Sequence, residues 1–304
     1  TDATGSTSYA YNADGSLASQ TNTILGSVYT TNWGYNTAGQ LTSMSYPNGV
    51  SLYYAYDGAG RLSAITTNHP GWSTVASNFL YQPAINRPYA WRYGNGLPKL
   101  ITLDTDGRVA QLNSGGALNL SYGYNVTDTV QSLTNHNLSS ETSSFGYDAN
   151  DRLSSVSKNN GDHQGFGWDG VGNRVNHSRA GASWNFGLDP AANRLFTASG
   201  ASSRTFGYDN VGNLASDSQG GRSYGYDAFN RLGAVYVNGG LVGDYRSNAF
   251  NQRVYKGTAS GGSHFIYGPS GELLLEIGPT PTMYVWLGGE LLGISRGGNF
   301  YVSH

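Results

Sequence analysis

YGYDAFNRL, residues 224–232, decides the fold, because variants of it recur about every twenty residues along the whole chain. The copies begin at Tyr9, Trp33, Tyr54, Phe79, Ile101, Tyr122, Phe145, Phe166, Phe186, Phe206, Tyr224, Tyr245 and Phe265. Each runs aromatic, small residue, aromatic, Asp or Asn, two variable residues, Gly or Asn, one spacer, then Leu or Val. The copy at Ile101 keeps Asp104, Gly107 and Val109 without an aromatic, and the copy at Phe79 has Gln82-Pro83 in place of Asp.

Two aromatics at i and i+2 lie on one face of a β-strand, with the small residue between them on the other face. Asp-x-x-Gly then closes a turn. The carboxylate of Asp57, Asp148, Asp169, Asp189, Asp209 or Asp227 accepts local backbone N–H groups, and Gly60 or Gly212 supplies the positive φ where a type I turn enters a bulged strand. Asn230 serves as well, since Asn tolerates the left-handed conformation. Asn159-Asn160-Gly161, Gly220-Gly221 and Asn238-Gly239-Gly240 mark the opposite ends of the strand pairs as primed hairpins. The resulting fold class is all-β: a repeat array of antiparallel β-hairpins forming one long coiled β-ribbon. No window has a helical apolar period free of Gly-centred turns.

The ribbon is expected over residues 1–278, with an irregular insert at 68–99 rich in Pro and Trp, where loops or a bent strand interrupt the ladder. Residues 279–304 read as a C-terminal hairpin and a strand. The opening TDATGSTSYAYN has no initiator Met and no signal peptide, so the sequence reads as cut from something longer. Exposed edge strands at both ends predict self-association.

Composition narrows the function. Charged residues are 12%, net charge is −2, and Gly (44) and Tyr (23) are abundant. That balance offers nothing to a phosphate backbone or an anionic membrane, so no nucleic-acid partner is expected. The apolar stretch Met283 to Ile294 is broken by Gly288, Gly289 and Glu290 and is too short to span a membrane; a soluble protein is expected. With no cysteine, disulfides, thiolate metal sites and a Cys nucleophile are excluded.

The chemistry-bearing residues give mostly structural expectations. Asp at the turn position caps the turn, and Glu141, Glu272, Glu276 and Glu290 are scattered, so no glycosidase-type carboxylate pair is indicated. Arg61, Arg108, Arg152, Arg174, Arg194, Arg231 and Arg253 each precede the strand-starting Leu or Val. Each is expected to stack on a tyrosine of a neighbouring repeat and to pair with a turn Asp; the alternative is a ladder for acidic polysaccharide. The six histidines (His69, His136, His163, His177, His264, His304) show no metal-ligand spacing, and no cofactor is expected. Trp72, Trp91, Tyr89 and His69, clustered in the insert, are the place for a sugar-binding platform, against the plainer reading of a hydrophobic plug under a loop.

The copies YAYDGAGRL, FGYDANDRL, FGYDNVGNL and YGYDAFNRL resemble the YD-repeat, or RHS-repeat, family over essentially the whole chain. The tail TMYVWLGGELLGISRGGNFYVSH is similar to the segment upstream of the RHS-associated core of bacterial RHS proteins of polymorphic-toxin type. The resemblance implies a shell wall, non-catalytic, that encloses or presents a toxin domain outside this chain, with other parts of that shell as partners and a secreted or cell-surface location. Related arrays imply one alternative, a carbohydrate-binding or adhesive module, and a polysaccharide-degrading enzyme is a second alternative. The family's Asp-Pro-x-Gly-Leu cleavage signature is absent: Asp189-Pro190 is followed by Ala191-Ala192 and occupies an ordinary turn, so self-cleavage is not expected.

Overall fold

The computed structural model describes every residue except Ala84 and His304. Twenty-nine strands form one antiparallel sheet in which the paired strands are consecutive in sequence. The only helical element among the described residues is a single 3-10 turn, Ser139–Glu141. The all-β hairpin array is therefore the fold. Strands continue through the Pro-rich stretch as Thr74–Tyr81 and Pro88–Tyr93, which pair with register shifts around Asn78, a left-handed residue at φ 56°.

One repeat explains the rest. Strands Ser51–Tyr56 and Leu62–Thr67 pair in register until Ala55, after which the pairing slips by one residue so that Tyr56 faces Leu62. The loop between them closes with Asp57 N–H donating to Arg61 O (2.8 Å) and Gly60 N–H donating to Asp57 O (2.9 Å). This is a type I turn followed by a bulge, with Gly60 at φ 76° in the left-handed slot. Asn230 and Asn251 (both φ 59°) hold the same slot, and so do Asp128 (φ 64°) and Asp151 (φ 56°), a tolerance for Asp not expected from the sequence.

Gly60→Ala is expected to cost about 1–2 kcal/mol, since a Cβ in the left-handed region crowds the following carbonyl. Gly60→Asn is expected to cost less, because Asn already occupies this slot in two other repeats. Urea unfolding of the two variants checks the order, and equal losses would contradict it.

The outer hairpin ends use tighter loops. Leu25-Gly26, Ala180-Gly181 and Asn238-Gly239 each place two consecutive residues at positive φ, the type I′ signature. Asn159-Asn160-Gly161, expected to be a primed turn, instead repeats the bulged loop: Gly161 N–H donates to Lys158 O, Lys158 N–H to Asp162 O, and only Gly161 has positive φ. The third loop residue makes the difference, because I′ and II′ hairpins have two-residue loops.

In several repeats the small residue sits opposite a hydroxyl. A Cβ at Gly34, Gly123, Gly146 or Gly207 would run into the side-chain oxygen of Ser43, Ser132, Ser155 or Ser216 on the partner strand. Glycine thus leaves room for the serine side chain of the partner strand.

The chain divides into two compact units. One comprises Thr1–Lys99, Asp227–Ala234 and the stretch from Val242 onward; the other comprises Leu100–Tyr226 and Val235–Leu241. The first has a packed core, with Leu52, Ile65, Val75, Ile266, Leu275, Val285 and Leu292 fully buried. Within it the early and late strands meet: Tyr46 Oη donates to Tyr284 O (2.9 Å), Gln20 Nε2 to Tyr267 O (2.8 Å), and Tyr29 Oη lies 2.8 Å from His264 Nδ1. In the second unit the buried hydrophobic residues are Ala198 and Phe206, and strands such as Leu153–Lys158 are half-buried at every residue.

Candidate functional site

The repeated feature with most chemistry is the turn ladder. Asp57 Oδ1 accepts from Ala59 N–H and Arg61 N–H (both 2.9 Å) while its Oδ2 accepts from Arg61 Nε (2.9 Å). Asp148 with Arg152 and Asp227 with Arg231 repeat this set. At Asp169 and Asp209 the partner four residues on is Asn173 or Asn213, donating through Nδ2. Where the turn begins with Asn, the amide donates instead to an oxygen four residues on: Asn36 to Gln40, Asn125 to Thr129, Asn248 to Gln252. Acceptor and donor swap together, so the pair is matched at each of these turns.

The same residue reaches the next repeat. Arg152 Nη1 donates to Asp169 O, Arg231 Nη1 to Asn248 O, Gln40 Nε2 to Gly60 O, and Arg108 Nη1 pairs with Asp128. The guanidiniums also lie over the following aromatic, Arg61 on Tyr81 (5.1 Å), Arg108 on Tyr124 (4.5 Å) and Arg194 on Tyr208 (4.9 Å). Arg174 and Arg253 depart from the expected pairing: the first turn residues before them, Asp169 and Asn248, are paired with Asn173 and Gln252. One residue further along, they stack on the first aromatics, Arg174 on Phe186 and Arg253 on Phe265, each at 5.0 Å. Asp189 opens a loop one residue longer, with Asn193 N–H donating to Asp189 O, and Arg194 stands 3.9 Å from its carboxylate.

The turn carboxylates are tuned by these contacts. The hydrogen bond from Arg152 holds the Asp148 carboxyl below its ordinary range, and those from Asn173 and Asn213 do the same for Asp169 and Asp209. Groups pushed toward full ionisation and already occupied by donors are unsuited to general acid catalysis.

A second repeated bond was not anticipated. The second aromatic of a repeat donates to the carbonyl of the residue that starts the previous return strand: Tyr56 to Leu41 O, Tyr81 to Leu62 O, Tyr124 to Val109 O, Tyr147 to Val130 O, all at 2.8 Å, and Trp168 Nε1 to Leu153 O (2.9 Å). Trp286 Nε1 makes the same bond to Leu273 O (2.8 Å). The signal was in the sequence: Phe occurs at the first aromatic position and not at the second. Tyr147→Phe should therefore cost about 0.5–1.5 kcal/mol by orphaning the Val130 carbonyl, measured as a lower urea midpoint at unchanged m-value. No change in midpoint would show that the bond adds nothing.

Of the residues of the possible sugar platform, His69 and Trp72 come together as a stacked pair. Trp72 is stacked between His69 (4.9 Å) and Phe300 (4.1 Å). Trp91 is 3% exposed, packed beside Phe79 and Tyr93 with Lys99 Nζ 5.2 Å from its ring, and Lys99 in turn pairs with Glu290. Tyr89 is half-buried in the strand that carries Trp91. Among the described residues no group of His, Cys, Asp and Glu could hold a metal ion, and His304 lies outside them. No described helix is long and apolar enough to cross a membrane.

Residues 11–51 and 35–69 match the RHS Repeat family model. No curated protein matches the chain in sequence. Among solved structures, a crystal structure of TcdB2-TccC3-Cdc42 superposes with TM-score 0.76 at 15% identity over 97% of this chain and 18% of that one. The Tc holotoxin pore of Photorhabdus luminescens superposes with TM-score 0.72 at 15% identity over 93% and 17% of the respective chains. TcdB2-TccC3-TEV gives TM-score 0.70 at 15% identity over 94% and 17%. The chain thus spans less than a fifth of the length of these neighbours, and the likeness concerns the fold. Residues 11–69 are thus similar to RHS repeats, and the later hairpins carry the same bulged loop, closing side-chain pair and aromatic-to-carbonyl bond.

Proposed function

We propose that the chain is a non-catalytic wall segment of an RHS shell, secreted or displayed at the cell surface, whose longer parent encloses or presents a toxin or effector domain. The observation that carries this reading is where the side-chain chemistry goes. The turn carboxylates with Arg or Asn partners close their own loops, and the guanidiniums stacked on aromatics and the second-position Tyr and Trp donors are engaged in joining one hairpin to the next. Residues so occupied hold a wall together and leave little to act on a substrate. The half-buried strands of Leu100–Tyr226 support the same reading, since a single sheet layer has a second face available for other parts of a shell.

The test is the parent reading frame. Full-length protein carrying its native downstream region should protect that region from protease while isolated downstream region is digested. Equal digestion in both forms, or a frame with no further domain, would overturn the shell reading. The isolated chain should release no products from acidic polysaccharides and should bind no glycan array. Product release would favour the enzyme, and glycan binding abolished by Trp72→Ala would favour the adhesive module.

A further inference from the structure

The repeat that opens at Phe265 lacks the side-chain pairs that close the turns described above. Its loop is ordinary in backbone: Gly268 N–H donates to Glu272 O (2.8 Å), Gly271 N–H donates to Gly268 O (3.0 Å), and Gly271 has φ 88°. Its side-chain pair is not. Where the other loops carry Asp and Arg, or Asn and Gln, this one has Gly268 and Glu272, so the carboxylate stands where a guanidinium is usual and has no side chain across the turn. Glu272 Oε2 is shielded from solvent and has no hydrogen-bond donor.

That carboxylate lines a cleft of about 480 Å³ inside the unit that joins the early and late strands. Trp33, Tyr46, Tyr54 and Trp286 line it too, with Met44 and Leu274, both buried, beneath them. No lysine or arginine is among the lining residues. The polar ends of two of the rings are already engaged, Tyr46 Oη on Tyr284 O and Trp286 Nε1 on Leu273 O, so these rings offer mainly their π surfaces. Burial, with added repulsion from Tyr54 and Glu272, pushes the Tyr46 phenol well above its ordinary range and keeps it neutral.

We infer that this cleft binds an organic cation, the alkylammonium group of a small molecule or of a lysine side chain, held by the four aromatic rings and the Glu272 carboxylate. Aromatic faces attract a cation through the ring quadrupole, most strongly where water is excluded. A carboxylate oxygen shielded from solvent without a donor is costly, and a bound cation supplies the missing partner. The inference stands apart from the shell reading, since it needs only this cleft.

The experiment is calorimetric titration of the unmodified chain with choline, with N-acetyl-lysine methylamide, and with 3,3-dimethyl-1-butanol, the neutral isostere of choline. One or both cations should bind, and the stronger of the two identifies the source as a free quaternary ammonium or a polypeptide lysine. The isostere should bind at least about tenfold more weakly. Binding of neither cation, or equal binding of the isostere, overturns the proposal without any variant. Glu272→Gln, which keeps the volume, should weaken the cation by at least about tenfold and leave the isostere unchanged. The double variant Gly268→Asp with Glu272→Arg, which restores the pair used by other turns, should abolish cation binding while preserving the far-UV circular dichroism. Retained cation affinity in either folded variant would also overturn it.

Discussion

Leu275→Ala is expected to destabilise the unit built from the early and late strands by about 2–5 kcal/mol, the range for deleting a fully buried leucine side chain. Leu275 has no exposed surface and lies in register with Ile266 on one side and Met283 on the other, both buried. Its neighbours belong to ladders fixed by the bulges at Ile266/Tyr267 and Val285/Trp286, so they are poorly placed to collapse into the space. Val156→Ala in the other unit is expected to cost less, about 1 kcal/mol, because Val156 is half-buried and water can take part of the vacated volume. Urea midpoints compared at equal m-value test the contrast. Equal losses at the two sites would mean that the units are packed alike, contrary to their burial. Hydrogen exchange should follow the same order, slower for the amides of Leu273–Ile277 than for those of Leu153–Lys158.

The local half of this architecture was legible because it is written within about twenty residues. Asp57 to Gly60 specifies loop type, left-handed slot and bulge from backbone chemistry alone, and the structure realises each. Alternation of aromatic and small residues fixed which faces are shared. The matched pair of Asn36 with Gln40 was equally present in the sequence but was hidden by attention to Asp and Arg; reading positions four apart as donor and acceptor finds it. Contacts such as Tyr46 to Tyr284 and Tyr93 to Ser303 are another matter, since they join segments more than two hundred residues apart and no periodic rule sets which repeats meet. The cleft around Glu272 depends on such meetings, and so it was not legible, although the loss of the Asp at Gly268 was. Asp217 was passed over for a related reason: it lies outside the repeated turn position, and only the structure shows that it is buried.

Arg204→Met should cost about 3 kcal/mol at pH 7, more than Asp217→Asn, although both break the same ion pair. The asymmetry follows from exposure. The Asp217 side chain is 1% exposed, and it accepts from Arg204 Nε (3.1 Å), from Arg204 Nη2 and from Gln219 N–H (2.9 Å). Arg204 is 33% exposed and lies over Phe206 at 5.0 Å, so without its partner it can still reach water. Asp217 without Arg204 keeps one backbone donor and a charge that burial opposes. The sign of the pH dependence separates this account from simple loss of packing. In the native protein the Arg204 hydrogen bonds hold the Asp217 carboxyl below its ordinary range. Its contribution is therefore complete above the unfolded value, about 3.9, and is lost as pH falls through the lower folded value. In Arg204→Met burial loses its largest opponent, leaving the Gln219 N–H and the charge of Arg222 to offset it, so the carboxyl rises from its native position and the variant's penalty at neutral pH is relieved by protonation at a higher pH than in the native protein. The difference in unfolding free energy between native protein and variant should accordingly shrink between pH 7 and pH 3. A difference of the same size at both would mean that Arg204 contributes through its contact with Phe206 and not through the carboxylate.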